Sequence, residues 1–192
     1  MHKYINRLFD IYSKILVIRV DLSYSSEFAS KSTITDLKSD ITRLLEHRRS
    51  KPDLFKCMVG YIIKYEQGEK KGPHCHAVFF FDGQLAQHDE FISEMIGNYW
   101  SQSVTPGRGI YYNCHRRKYL YPKLGIGMIH YSDDIKRQSL LCNVIGYLTK
   151  PEQSFDTAED GKMFRSFTRG VMPTMKSLAG RPRLYTTNEF GT

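Results

Sequence analysis

Five polar residues separate two strand-like segments near the middle of the chain, and this spacing restricts the fold more than any other feature. Residues 55–67 (FKCMVGYIIKYEQ) and 73–81 (PHCHAVFFF) are rich in β-branched and aromatic side chains, as strands are. The sequence GEKKG between them is typical of a turn. A parallel pair of strands would need a crossover of a dozen or more residues. The two segments are therefore predicted to form an antiparallel hairpin.

The other predicted elements are distributed on both sides of this hairpin. Residues 14–24 have the composition of a strand. Apolar residues at helical spacing predict helices over residues 34–50, 88–102 and 132–150, and short strand-like pieces occupy residues 109–117 and 125–131. The pattern predicts an α+β fold with a central antiparallel sheet of about five strands flanked by helices. A doubly wound parallel fold fits less well, because it would need a helical crossover between residues 67 and 73, which are too few for one.

Composition and charge indicate a globular protein with a polyanionic partner. The chain has 192 residues, 41% of them hydrophobic, and a net charge of +8, which favours nucleic acid. Apolar periodicity fades after about residue 155, so we expect one domain over residues 1–155 and a basic, partly irregular C-terminal extension over residues 156–192. The sequence has neither a long apolar segment nor a signal-peptide pattern, which predicts a cytoplasmic protein without a membrane partner. The four scattered cysteines are expected to be reduced.

A candidate metal site lies at the start of the second hairpin strand. Residues two apart on a strand point to the same face, so His74 and His76 can present two imidazoles to one ion. Cys75 would then point into the core. If the hairpin pairs around GEKKG, Glu66 returns beside the two histidines and offers a third ligand. Two imidazoles and a carboxylate leave positions open for water and phosphate, with Mg or Mn as the favoured divalent ion.

The metal assignment has simpler alternatives. A His-x-His triplet is expected roughly 0.25 times by chance in such a sequence, so the motif alone is weak. The histidines could be an ordinary hydrogen-bonded pair, and Glu66 could be a solvated charge at a strand end. Glu69 competes for the role of third ligand, but it lies within the turn.

A candidate nucleophile lies on the last predicted helix. Lys150 follows Tyr147 by three residues, and on a helix this spacing puts both side chains on one face, so the ammonium can approach the phenolic oxygen. A free tyrosine has a pKa near 10, and only about one in a thousand is ionised at pH 7, so activation is needed. The spacing itself is expected roughly once by chance. By composition alone, Tyr147 could equally be a packing residue.

Taken together, these segments resemble a known enzyme superfamily. A hydrophobic strand, a hairpin with Glu66, His74 and His76, and a helix with Tyr147 and Lys150 resemble the HUH rolling-circle replication initiators. The segments KYEQGEKKGPHCHAVFFFDG, GRGIYYNCHRRKY, GIGMIHYSDD and YLTKPEQ are more narrowly similar to the prophage YagK/YfjJ group, which is related to filamentous-phage gene-two-type initiators. The similarity extends from residue 14 to about residue 183.

The resemblance implies specific roles for these residues. His74 and His76 would be metal ligands with Glu66 as the third, a position at which some families of the superfamily use another residue. Tyr147 would be the single nucleophilic tyrosine, assisted by Lys150. The enzyme would nick single-stranded DNA at a replication origin, leaving a 5′-phosphotyrosine and a 3′-hydroxyl that primes synthesis. The chain has no Walker-type motif, so unwinding would require a host helicase and the host replication machinery.

Two basic segments are candidate DNA contacts. Cations alternate with aromatic residues at Arg116, Arg117, Lys118 and Tyr119, as they do in proteins that bind single strands. Residues 161–188 are also basic, and Arg181 and Arg183 occur in a Gly-Arg-Pro-Arg sequence that resembles a minor-groove binding core. Either segment could instead be a solvated surface.

Rival functions remain open at this point. A transposase or relaxase of the same superfamily would share the histidines and the tyrosine but act at other DNA ends. A non-catalytic module could bind RNA on an aromatic sheet, although no RNP-type signature is present. A zinc deaminase is excluded, because its His-x-Glu and Pro-Cys-x-x-Cys elements are absent. The sequence leaves the oligomeric state open, a monomer included.

Overall fold

The computed structural model describes residues 1–69, 71–149 and 166–174. Its helices are α1 (His2–Ile11), α2 (Ser26–Ala29), α3 (Ile34–Glu46), α4 (Pro52–Phe55), α5 (Asp89–Tyr99), α6 (Asp134–Ser139) and α7 (Gly146–Leu148). Its strands are β1 (Lys14–Tyr24), β2 (Met58–Gly68), β3 (Gly72–Asp82), β4 (Gly109–Asn113), β5 (Gly127–His130) and β6 (Phe167–Arg169). No helix among these residues combines the length and apolar character needed to cross a membrane.

A single antiparallel sheet organises the described residues. The strand order is β4-β1-β3-β2-β6, and β5 pairs with β1 beside β4. The long strands β1, β2 and β3 form the centre, and every pairing between strands is antiparallel. This confirms the predicted α+β fold with flanking helices, and it gives six strands where about five were expected.

Local sequence signals explain where α3 and β3 begin. The Thr33 side chain accepts a hydrogen bond from the Asp36 backbone N–H, and the Asp36 carboxylate accepts one from the Thr33 backbone, which forms a capping box at the start of α3. In the hairpin, Gly72 has φ +61, a conformation that favours glycine. A Cβ there would also overlap the carbonyl oxygen of Ala29. The turn between β2 and β3 is therefore restricted to glycine at this point.

The sheet carries a separate apolar core on each face. On one face, α3, α5 and the π-helical segment Trp100–Val104 pack against the strands, with Leu37, Ile41, Ile96 and Trp100 fully buried. On the other face, α1 and the helical region at residues 134–148 bury Leu8, Leu140, Ile145 and Leu148. This region consists of α6, the π-helical segment Leu140–Ile145 and α7. The apolar parts of the strands thus lie between two layers of helices, one on each face of the sheet.

Two details differ from the sequence predictions, and a third element was not predicted. That element is the helix α1, before β1, whose buried residues lie on one side. The strand predicted from residue 55 begins at Met58, because the residues before it form the short helix α4. Part of the predicted C-terminal extension, β6, pairs with β2 in the sheet. With only three residues, β6 is too short to produce a recognisable alternation in the sequence.

A buried histidine fills a gap at one edge of β1. Strand β5 pairs with residues 14–17 and β4 with residues 20–24, so neither strand reaches the backbone of Arg19. The Arg19 backbone N–H instead donates to Nε2 of His115 at 3.0 Å, and the opposite ring nitrogen, Nδ1, lies 2.9 Å from the Asp89 carboxylate. Since Nε2 accepts, Nδ1 carries the proton and donates to Asp89. His115 thus satisfies a backbone donor that no strand reaches.

We expect His115→Ala to lower the free energy of unfolding by about 1–3 kcal/mol, because it leaves the Arg19 N–H and the Asp89 carboxylate without this partner. Urea unfolding followed by circular dichroism measures the change. His130 is an exposed histidine and provides the control, since His130→Ala should change stability by no more than about 0.5 kcal/mol. Equal stability of the two variants would contradict a structural role for His115.

The stability contribution of Asp89 should depend on pH. The hydrogen bond from His115 lowers the pKa of Asp89, burial opposes this, and Lys118 lowers it further. A carboxyl group with a lowered pKa in the folded state stabilises the protein above its unfolded pKa of about 4, and this contribution is lost as pH falls through the folded pKa. The stability difference between wild type and Asp89→Asn should therefore shrink between pH 5 and pH 2 in urea titrations. A constant difference would argue against the ionised carboxylate as its source.

Candidate metal centre

The hairpin register brings three potential ligands to one face of the sheet. Glu66 pairs with His74 across β2 and β3, and direct cross-strand partners have neighbouring side chains. His76 lies two residues further along β3 and faces the same side, while Cys75 is fully buried in the opposite core. The sequence predicted this hairpin and the direction of all three side chains in β3.

The distances within this group suit a small ion. The Oε2 atom of Glu66 lies 3.3 Å from Nε2 of His74 and 3.3 Å from Nε2 of His76. One ligand atom from each residue can be chosen so that all three lie within 4.8 Å of one another. The three side chains are largely buried, yet each keeps some exposure toward the surface. The group can therefore bind a metal ion, whose identity its geometry leaves open.

Hydrogen bonds orient both imidazoles toward this common point. Nδ1 of His74 lies 3.0 Å from the carbonyl oxygen of Gly72, to which it can only donate. Nδ1 of His76 donates to the Asp21 carboxylate at 2.7 Å. With Nδ1 protonated, each ring can offer its Nε2 lone pair to a metal, and such outer partners fix the orientation of ligating histidines in proteins. The Nε2 atoms of the two imidazoles and the Glu66 carboxylate thus face one point.

The charges in the metal-free protein follow from these contacts. Burial favours the neutral form of Glu66, but hydrogen bonds from His74 and His76 outweigh it and lower its pKa to about 2. Burial likewise favours neutral His76, but hydrogen bonds to Asp21 and Glu66 raise its pKa to about 9. The additional proton of His76 is therefore on Nε2, which faces Glu66 and is the atom that would bind a metal ion. Metal binding would release this proton, as it does at protein metal sites generally.

Two charged residues of β1 complete the surroundings of the histidines. Asp21 pairs with His76 in the sheet, and the Nε atom of Arg19 lies 3.4 Å from the Asp21 carboxylate. Burial opposes the ionised form of Asp21, but its contacts with His76 and Arg19 outweigh burial and lower its pKa. The sequence analysis missed both residues. Their signal was present, because two charges spaced two apart follow the apolar residues Ile15 and Val17 on that face of the strand.

The candidate nucleophile lies against this group. The ring of Tyr147 packs edge to face against His76 with ring centroids 6.3 Å apart, and the Arg19 guanidinium carbon lies 5.6 Å from the Tyr147 ring centroid. Tyr147 is 43% exposed, whereas Val144 and Leu148 on the same helical region are buried. The π-helical segment Leu140–Ile145 ends two residues before Tyr147, and such wide turns often occur at functional sites. Lys150 lies outside the described residues.

A buried lysine also belongs to this part of the sheet. Lys64 pairs with His76 across β2 and β3 and is 1% exposed. Its ammonium lies 4.4 Å from the centre of the Phe167 ring on β6, which is a favourable cation–π distance. Strand β6 therefore covers a charged residue next to the metal-binding group, a contact that the sequence analysis did not foresee.

The basic segment after β4 is partly neutralised by α5. Arg116 forms an ion pair with Glu94 at 2.7 Å, and Lys118 forms one with Asp89 at 2.6 Å. Arg117 and Tyr119 are exposed. Arg116 is also exposed, but its guanidinium is paired with Glu94. Arg181 and Arg183 lie outside the described residues.

Comparison with known proteins identifies a family. No curated protein and no solved structure matches the chain. The family model for the YagK/YfjJ C-terminal domain matches residues 1–170, a span that includes every described residue of the metal centre and Tyr147. The chain therefore belongs to the YagK/YfjJ C-terminal domain family.

Proposed function

We propose that this protein is an HUH-type endonuclease that nicks and rejoins single-stranded DNA through Tyr147. The observation that carries the proposal is the contact between Tyr147 and His76, which joins a potential nucleophile to the group of Glu66, His74 and His76. A structural tyrosine could lie anywhere on its helix. A nucleophile for a metal-polarised phosphate must lie within reach of the ligands, and Tyr147 meets that condition with an exposed ring.

The donor set agrees with this chemistry. Two imidazoles and one carboxylate occupy only part of a coordination sphere, so water or a phosphate oxygen can take the other positions. A divalent ion held there, Mg or Mn in our proposal, would act as a Lewis acid on a non-bridging phosphate oxygen. Asp21 would keep His76 oriented as a ligand, as outer carboxylates do for other metal-bound histidines.

We propose that Tyr147 and Arg19 carry out the transfer of the DNA phosphate to the protein. The phenolic oxygen of Tyr147 attacks the phosphorus and loses its proton to solvent, and Lys150, three residues further along the chain, is proposed to assist as a cation or proton carrier. The new phosphorus–oxygen bond forms as the bond to the 3′-oxygen breaks, and that oxygen takes up a proton. Arg19, whose cation lies beside the Tyr147 ring, would stabilise the negative charge on the phenolic oxygen. The returning 3′-hydroxyl can reverse the step without ATP.

The biological task we propose is initiation of rolling-circle replication of a phage or prophage element in a bacterial cytoplasm. The free 3′-hydroxyl would prime synthesis, and a host helicase would unwind the duplex. Transposition and conjugative transfer use the same chemistry at other DNA ends. Mapping the nick to an origin within the element supports replication, whereas nicks at the ends of an element would assign the protein to transposition.

The metal site can be tested with two glutamates from the same hairpin. We expect Glu66→Gln to weaken Mn binding at least tenfold in isothermal titration calorimetry, because it removes the anionic ligand between the two histidines. Glu69→Gln is the matched control, because Glu69 lies exposed in the adjacent turn and should bind Mn like wild type. His74→Ala and His76→Ala should lose binding altogether. Loss in Glu69→Gln with retention in Glu66→Gln would overturn the ligand assignment.

The nucleophile can be tested by labelling the DNA on either side of a nick. With Mn and a single-stranded origin oligonucleotide, we expect wild type to become covalently linked to the 5′ end of the downstream fragment. Tyr147→Phe should bind metal and DNA but form no adduct, because it loses only the attacking oxygen. A denaturing gel measures the labelled protein.

Tyr99→Phe provides the control for this experiment. Tyr99 lies on α5, in the opposite layer, where its hydroxyl contacts His47, so its removal should leave adduct formation intact. Adduct formation by Tyr147→Phe, or label transferred from the upstream fragment, would rule out the proposed reaction.

A further inference from the structure

Two exposed side chains of the edge strand β4 lie in line with the metal-binding histidines. Tyr112 pairs with Asp21, which pairs with His76. Ile110 pairs with Ser23, which pairs with His74. Cross-strand partners share a face, so both side chains stand on the same side of the sheet as the ligands. With neighbouring strands about 4.8 Å apart, β4 lies about 10 Å from β3. We call Ile110 and Tyr112 the β4 rim.

The β4 rim is unusually accessible for apolar residues of a sheet. Tyr112 is 51% exposed and Ile110 is 49% exposed. The intervening residue behaves differently, because the Tyr111 hydroxyl donates to Glu94 at 2.7 Å and its ring lies against Gly97 on the opposite face. The strand thus uses Tyr111 for packing and leaves Tyr112 toward solvent. Exposed apolar side chains beside a polar site commonly mark a binding surface.

A second tyrosine extends the rim. Tyr121 is 43% exposed and lies within electrostatic range of Arg19, Asp21 and Tyr112. The surface beside the metal-binding group therefore presents two aromatic rings and one branched aliphatic side chain, with the partly buried Arg19 beneath them in β1. This combination differs from the following segment, where Arg116 and Lys118 are paired with carboxylates of α5.

We propose that the β4 rim, with Tyr121, is a stacking site for unpaired bases of the DNA strand whose phosphate reaches the metal centre. Aromatic side chains bind the faces of unpaired bases without regard to sequence. A duplex cannot use such a site, because its bases are already stacked and paired. The ligand is assigned as single-stranded DNA by its continuity with the metal centre, so this proposal rests on the proposed function.

The test measures binding separately from cleavage. Variants are made in the full chain carrying Tyr147→Phe, with Mn present, and the probe is a fluorescent mixed-sequence single-stranded oligonucleotide followed by anisotropy. Tyr112→Ala should weaken binding about fivefold to a hundredfold, which is the range for loss of one stacked base. Tyr112→Phe should bind like the parent, because it keeps the ring. The salt dependence of binding should stay unchanged, because no charge is removed.

Phe91 is the matched control. It is an aromatic residue on α5 with 63% exposure, in the layer that covers the other face of the sheet, so Phe91→Ala should bind within about twofold of the parent. The same oligonucleotide annealed into a duplex should show no dependence on Tyr112. Unchanged single-strand affinity in Tyr112→Ala overturns the proposal, and so does an equal loss with duplex DNA.

Crosslinking gives a second measurement that needs no substitution. An oligonucleotide with 5-iodouracil should crosslink on irradiation to Tyr112 or Tyr121 in wild type, as identified by mass spectrometry of the peptide. Crosslinks confined to other surfaces would overturn the assignment even if Tyr112→Ala failed to fold.

The two proposals can fail separately. If Tyr112→Ala loses affinity while wild type forms no covalent adduct, the proposed cleavage fails and the stacking site stands. If the adduct forms and Tyr112 has no effect, only the stacking site fails.

Discussion

The antiparallel register between β2 and β3 places Glu66 opposite His74, and the rest of the candidate centre depends on this pairing. Side chains alternate along a strand, so a slip of one residue would send both histidines into the opposite core and bring Cys75 to the site. The tight turn opposes such a slip, because Gly72 needs a positive φ and approaches the backbone of Ala29 without room for a side chain. The geometry of the metal ligands is therefore set by the turn.

The same face of the sheet serves two purposes along its length. Val78 and Phe80 continue β3 beyond the histidines and are fully buried under α1 and the helical region at residues 134–148. That region is anchored by Leu148, a direct neighbour of Tyr147 in the chain. Hydrophobic packing thus fixes the helix at one end of the face and leaves the Tyr147 ring beside His76 at the other. The nucleophile we propose is positioned by its apolar neighbours.

Features set by residues that are close in the sequence could be predicted, whereas contacts between distant segments of the chain could not. The five-residue turn and the alternation of β3 predicted the hairpin, the ligand face and the buried Cys75. The partner of His76 was missed because Asp21 is brought to it by pairing between β1 and β3, which no local pattern encodes. His115 was missed for the same reason. Its ring fills the gap beside Arg19, which is 96 residues away in the chain.

The charge of the chain illustrates a related limit of sequence analysis. The net charge of +8 and the sequence Arg116-Arg117-Lys118 predict a strong attraction for phosphates. In the fold, Glu94 and Asp89 on α5 approach the first and third of these residues, so a phosphate would have to displace a carboxylate at each position. The Arg116–Glu94 pair is largely exposed and such pairs contribute little to stability, whereas the Lys118–Asp89 pair is half-buried, so each competes with a phosphate for its cation. In our proposal, contacts that do not depend on charge help to hold a DNA strand at the metal centre, and the exposed side chains of Ile110 and Tyr112 on β4 offer them.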